Sequence, residues 1–271
     1  MRHLIRFYSG EGKPTLFFRE PNGNRDSHDC APLPAGKAGG EFGTLVLEGA
    51  QDINFSDRLA CIGYKAPDGY HECKNGAIHT RQCPTCAALD LARAYTKGDF
   101  SGYPSVYEEA KKEEYVLYLA GFGDDIVKCG VTRKERFESR MREQGADFGC
   151  VIAQFVGPDA IYHAEASVQS RFNLSNAVRL AQKMRRLEFD HGFARENFTA
   201  HVELVKDSGA VPDFTPNIID FSEFYPRVKH AEETHTIIGE ILGAKGEILL
   251  FRSGLGRHFA VNMRKKVGTF F

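Results

Sequence analysis

The sequence predicts an α+β protein, with a central β-β-α-β-α layer between β-rich N- and C-terminal regions and a small cysteine-rich segment ahead of the layer. Three observations carry this. Two apolar runs, Tyr115–Ala120 and Ile126–Val131, flank a Gly-Asp-Asp turn and lead into a basic stretch that stops at Gly145. Short apolar runs broken by Gly, Pro and Asn recur over the first 55 or so residues and again over the last 40 or so. Four cysteines fall between Cys61 and Cys86. The chain divides on this basis into residues 1–60, 61–113, 114–192 and 193–271.

The N-terminal runs are LIRFY, TLFF and FGTLVL, separated by turns such as Pro21-Asn22-Gly23-Asn24, and read as a small β unit. The loop of residues 21–40 has no periodicity and is expected to be mobile; Cys30 within it is given no role. After the cysteines, ALDLARAYTKG predicts a short helix, residues 100–104 a loop, and VYEEAKKEEY a charged helix or linker. In the central stretch Thr132 and Glu135 have capping-box spacing, so a helix is predicted from Thr132 to Gly145. FGCVIAQFVG at 148–157 predicts a buried strand. Pro158 suits the first turn of the next helix, on which Ala160, Ile161, Ala164, Val168 and Phe172 recur at helical spacing. A second helix, with Ser175 as cap, spans SNAVRLAQKMRRLEF, and a third runs to Gly209. VPDFTPNIIDFSEFYPRV is Pro-rich, aromatic and extended. The C-terminal segment from Thr234 predicts four strands with turns at Gly243–Gly246 and Ser253–Gly256.

At 271 residues, with 42% hydrophobic and 26% charged residues, the chain has the composition of a globular protein. No apolar run reaches the ~20 residues of a membrane span, and the N-terminus has too short an apolar core for a signal peptide, so a cytoplasmic location without membrane partners is expected. Seven cysteines, an odd number, fit a reducing compartment. The sequon Asn197-Phe-Thr199 is then fortuitous. A net charge of −1 excludes a uniformly basic nucleic-acid binder but not a local patch. Base is concentrated in two places. One holds Lys128, Arg133, Lys134, Arg136, Arg140 and Arg142; the other holds Arg171, Arg179, Lys183, Arg185 and Arg186. Of these, Arg133, Lys134, Arg136, Arg179 and Lys183, with the nearby Gln144, are the candidates for contacts to nucleic acid; a solvated surface is the competing explanation.

Zinc prefers four soft or borderline ligands at tetrahedral corners, and Cys83-Pro84-Thr85-Cys86 sets two thiolates on one tight turn while Cys61 and Cys73 can arrive from a loop or hairpin. A structural zinc site made of these four cysteines is expected, with His71 or His79 as alternatives to Cys61 or Cys73; unligated thiols and a redox C-x-x-C are the competing explanations.

The central segment resembles a GIY-YIG nuclease domain. That superfamily's signature is two strands ending in those tripeptides, an arginine on the first helix and a glutamate on the next. The first tripeptide is matched by Val116-Leu117-Tyr118 and the second by Lys128-Cys129-Gly130, so that lysine stands where the signature has its second tyrosine, as in some nuclease branches of the superfamily. Arg140 matches the arginine, with Gln144 where histidine is frequent; Arg136 is the alternative. Glu165 matches the glutamate, and a downstream asparagine is Asn173 or Asn176. The resemblance implies that Tyr118 helps activate a water, Arg140 binds the scissile phosphate and Glu165 holds one Mg²⁺. Chemically, a lysine beside Tyr118 is expected to lower the phenol's pKa. The cysteine cluster, MREQGA, NIIDFSEFYPRV and the ending IIGEILGAKGEILLF to AVNM together resemble a prokaryotic family of unknown function carrying this core in its middle. The expected function is metal-dependent phosphodiester hydrolysis of DNA or RNA; the alternatives are an inactive, zinc-containing nucleic-acid-binding protein and a scaffold with merely solvated basic faces.

Overall fold

A computed structural model describes residues 1–10, 13–20, 41–175 and 177–271; Cys30, Asn176 and the loop of residues 21–40 lie outside the described residues. The chain begins with β1 (His3–Tyr8), β2 (Thr15–Glu20), β3 (Glu41–Val46) and β4 (Ala50–Asn54), then the hairpin β5 (Tyr64–Ala66) and β6 (Gly69–His71). Three short helices follow, α1 (Pro84–Ala88), α2 (Leu91–Lys97) and α3 (Pro104–Ala110). The centre consists of β7 (Glu114–Phe122), β8 (Ile126–Arg133), α4 (Phe137–Gln144), β9 (Phe148–Val156) and α5 (Asp159–Phe172). The remainder comprises α6 (Leu180–Met184), α7 (His191–Asp207), β10 (Ile218–Asp220), β11 (Glu232–Thr234), β12 (Thr236–Lys245), β13 (Ile248–Arg252), β14 (His258–Asn262) and α8 (Met263–Lys266). The protein is thus mixed and β-rich, with several sheets and eight helices among the described residues.

The central sheet has the order β10-β9-β7-β8. Strand β7 lies inside it and is covered on both faces, which accounts for its nearly unbroken apolar run. Alternate side chains Tyr115, Leu117 and Leu119 join Ile161 and Val168 of α5 and Phe198, Val202 and Val205 of α7 in one core. Val116, Tyr118, Ala120 and Phe122 point the other way, onto Phe137 and Met141 of α4 and onto Phe221 and Tyr225. Each such fully buried aromatic stabilises by ~1.5–3 kcal/mol relative to exposure.

The two β-rich ends meet. Strand β4 pairs antiparallel with β12, extending the sheet β11-β14-β13-β12-β4, and Leu4, Leu16, Leu47 and Phe55 share a core with Ile237, Leu249, Phe251 and Val261.

Three local expectations are corrected. Thr132 does not cap a helix: it and Arg133 continue β8 in register with Val116 and Tyr115, a 3-10 turn covers Lys134–Arg136, and α4 starts at Phe137. The ladder bonds to β7 outcompete one side-chain cap. The helix does end at Gly145, in the left-handed conformation that favours glycine. Ser175 is likewise no cap; it forms a parallel bridge with Lys128, and only the five residues of α6 are helical in that segment. At the C-terminus the four strands expected from Thr234 onward become β12, β13 and β14; β12 runs on through the expected turn at Gly243 to Lys245, and Met263–Lys266 forms α8, capped by Asn262, whose side chain accepts from the Lys265 amide.

Candidate functional site

The strands set the site's first two members. Tyr118 lies opposite Gly130 across β7 and β8, where a Cβ at position 130 would come within 2.6 Å of the phenol oxygen. Glycine is therefore required for the ring to lie across its partner strand. Helix α4 then brings Gln144, buried at 8% exposure, to a point between two polar ends. Its Nε2 donates to the Tyr118 Oη at 2.9 Å and to the Arg140 carbonyl at 3.2 Å, while its Oε1 accepts from Lys128 Nζ at 2.5 Å. Gln144 thus separates the phenol from the ammonium.

Burial overturns the expected phenol chemistry. Tyr118 is only 1% exposed, and its pKa is raised: desolvation outweighs the stabilisation that Arg140 and the Gln144 hydrogen bond give the phenolate. Lys128 yields instead. Burial and the positive Arg140 hold it down to about 8, against the pull of Glu165.

Glu165 comes from α5. Its charge acts on both Tyr118 and Lys128, its Oε1 accepts from Gln169 Nε2 at 3.1 Å, and burial raises its pKa against Lys128 and that hydrogen bond. Gln169 also donates to the Cys129 carbonyl of β8 at 3.3 Å, which ties the carboxylate to the strand. Its spacing of four from Glu165 was the signal available for this role.

The structure therefore brings Tyr118, Lys128, Arg140, Gln144 and Glu165 to one corner of the sheet. Lys183 joins them from below. It is buried, donates to the Gln144 carbonyl at 2.6 Å, and is held down to about 8 by desolvation and the surrounding base despite Glu247. Of the other candidates, Arg136 stays beside Arg140, the two sharing Glu143, and the rest lie elsewhere. Arg133 and Lys134 pair with Glu113 and Glu114 at the far end of β8, at 2.9 and 3.1 Å, and Arg179 is exposed at the start of α6. Arg136 pairs with Glu143 at 2.7 Å, and Asn173 ends α5 at a positive φ. A cleft of ≈ 640 Å³ lined by Arg142, Phe224 and Gly243 contains none of Tyr118, Lys128 or Glu165.

A second site is built from the cysteines. Cys83 precedes α1, Cys86 lies within it, and Cys61 and Cys73 approach from the preceding loops. The four ligand atoms lie within 4.8 Å of one another, and Cys73 Sγ and Cys83 Sγ are 3.8 Å apart. A tetrahedron of four sulfurs with metal–sulfur bonds of ~2.3 Å has edges of about 3.8 Å, so the set fits a metal ion such as zinc. The Gly63 and Cys83 amides donate to Cys61 Sγ at 3.4 and 3.2 Å and favour its thiolate, although burial holds the bare thiol above its ordinary range. A backbone hydrogen bond from Cys86 leads in lowering Cys83 to about 7. His71 and His79 are outside the group; the His71 ring stacks on Tyr64 and bonds Asp68 at 2.8 Å.

Residues 52–270 match the family described as Protein of unknown function (DUF2797). The chain belongs to that family. No curated protein and no solved structure matches it. The match takes in both the cysteine group and the Gln144 corner, so DUF2797 membership spans every residue of the two sites. No helix among the described residues is long and apolar enough to cross a membrane.

Proposed function

We propose that the protein is a metal-dependent phosphodiesterase acting on nucleic acid, of the GIY-YIG type, with a structural zinc at Cys61, Cys73, Cys83 and Cys86. The observation that carries this is the bridge made by Gln144 between Tyr118 and Lys128, with Arg140 and Glu165 in electrostatic reach of both. The sheet order and the packing of α4 and α5 on opposite faces of β7 support the same layer arrangement.

In this mechanism Lys128 takes the proton of the attacking water, because its pKa near 8 lies close to working pH whereas the buried phenol stays neutral. Tyr118, whose oxygen accepts from Gln144, keeps its own proton to orient that water. Arg140, half exposed, supplies positive charge to the phosphoryl oxygens as charge builds on them. Glu165 suits a divalent cation: Gln169 occupies one of its oxygens, and the other has no donor among the described residues. Mg²⁺ bound there would neutralise substrate charge and assist the leaving oxygen.

The 1% exposure of Tyr118 favours a second reading, a protein that binds nucleic acid through the same corner without cleaving it. Incubation of single- and double-stranded DNA and RNA with Mg²⁺ or Mn²⁺ separates the two. Cleavage that Glu165→Ala abolishes is expected; salt-dependent binding with no cleavage selects the second reading, and cleavage indifferent to that change removes Glu165 from the site.

A further inference from the structure

A hollow of ≈ 350 Å³ lies between the outer face of the β1–β2 hairpin and α4, lined by Arg6, Tyr8, Phe17, Arg136, Ser139 and Glu143. Its construction follows from one irregularity. A bulge between Leu4 and Arg6 shifts the register so that Arg6 stands opposite Phe17 on the outward face, while Leu4, Leu16 and Phe18 stay buried. Arg6 lies over the rings of both Tyr8 and Phe17, at 5.0 and 5.8 Å from their centres. Gly10 closes one end: a Cβ there would come within 2.9 Å of the Glu143 side chain.

Glu143 is the hinge between this hollow and the proposed phosphate site. It meets Arg136 at 2.7 Å, Arg140 at 3.4 Å and Arg6 at 4.0 Å, so one carboxylate is shared by three guanidinium groups and the cluster keeps excess positive charge. Glu135, at the rim, is engaged by Arg133 at 3.3 Å. Aromatic and guanidinium planes side by side, next to an arginine that serves a phosphate, are the components of a base-stacking subsite.

We infer that this hollow holds an unpaired nucleobase adjoining the phosphate at Arg140, which makes single-stranded nucleic acid the preferred ligand. The inference rests on the phosphodiesterase reading above. In a duplex the base faces are already stacked, so a slot that binds faces selects unpaired bases. At the low end of the ~300–1,000 Å³ range of small-ligand sites, it suits one base rather than a paired stem. The ring would stack on the Arg6 guanidinium plane, which the Tyr8 and Phe17 rings back, with Arg136 beside it.

The test uses the full chain carrying Glu165→Gln, to prevent cleavage, and oligonucleotides of one sequence, single-stranded or duplex, as DNA and as RNA. Binding is measured over a range of salt concentrations with and without Tyr8→Leu and Phe17→Leu together. The expected result is tighter single-strand than duplex binding, with the paired substitution weakening the single strand roughly ten-fold and leaving the salt dependence unchanged, because stacking releases no counterions. Unchanged single-strand affinity in a folded double variant overturns the subsite alone. Absence of binding by the parent to every oligonucleotide at low salt overturns the phosphodiesterase reading itself. Should the double variant not fold, 2-aminopurine in the single strand gives the answer with the parent chain: quenching on binding is expected, and bound oligonucleotide without quenching at any position overturns the subsite.

Discussion

At the scale of single residues, the balance between burial and charge decides which group carries a proton. Tyr118 and Lys128 both lose solvent; the phenol is pushed up and stays neutral, while the ammonium is pushed down to about 8, so a usable fraction of the amine is present just above neutral pH. A cleavage rate limited by neutral Lys128 rises with pH and levels off above a midpoint near 8, since the amine exists below that value mainly as the ammonium. Lys128→Met should lower kcat by ~10²–10⁴-fold, the usual contribution of a general base, and remove the limb. Lys183→Met should keep the limb, because Lys183 donates to the Gln144 carbonyl and lies over the Phe122 ring rather than meeting Tyr118; a profile flat between pH 6 and 9 in the wild type would remove Lys128 from the base role. The residue types at this corner were legible in the sequence from their order along the strands and helices. Their electrostatics were not, because adjacency of a lysine and a tyrosine in a motif does not reveal that Gln144 stands between them.

At the scale of elements, the cysteine segment shows how little regular structure a metal site needs. A three-residue hairpin arm on each side and the five-residue α1 bury Cys61, Cys83 and Cys86, with no large apolar side chain at the centre of that cluster. Without a metal, such a segment has thiol contacts in place of a core, so zinc should contribute much of its stability. Purified protein should contain one zinc per chain, and Cys83→Ser should reduce that content and make the 61–86 segment susceptible to proteolysis. Chelation should lower the melting temperature; a protein free of zinc that melts identically with and without chelator would remove the metal. This element was readable because C-P-x-C fixes ligand geometry within one turn. The start of α4 was not readable, for the opposite reason: a capping box is a local signal, and the pairing of Arg133 with Tyr115, eighteen residues away, overrides it.

At the scale of the whole molecule, one buried ion pair joins the central layer to the C-terminal sheet. Lys245, the last residue of β12, meets Asp147 at 2.8 Å, with side-chain exposures of 5% and 1%. Asp147 also accepts from the Gly123 amide at 2.8 Å, and its own backbone bonds Gly121 and Phe221. Neither this pair nor the pairing of β4 with β12 could be read from the sequence, since both link residues about a hundred or more positions apart and leave no local pattern. Removing one partner leaves a buried charge, so Lys245→Met should destabilise by ~3–5 kcal/mol at neutral pH. The pH dependence has a definite sign. Burial already holds the Asp147 carboxyl above its usual range despite Lys245, and loss of the ammonium raises it further. Where the folded carboxyl keeps its proton and the unfolded one has lost it, the folded state binds more protons, and stability falls as pH rises. The penalty of Lys245→Met, measured by urea unfolding, should therefore be smaller at pH 5 than at pH 8. Adding Asp147→Asn should recover much of it at pH 8, because the remaining group carries no charge; equal penalties at both pH values, or no recovery, would mean that the pair's contribution is packing rather than charge.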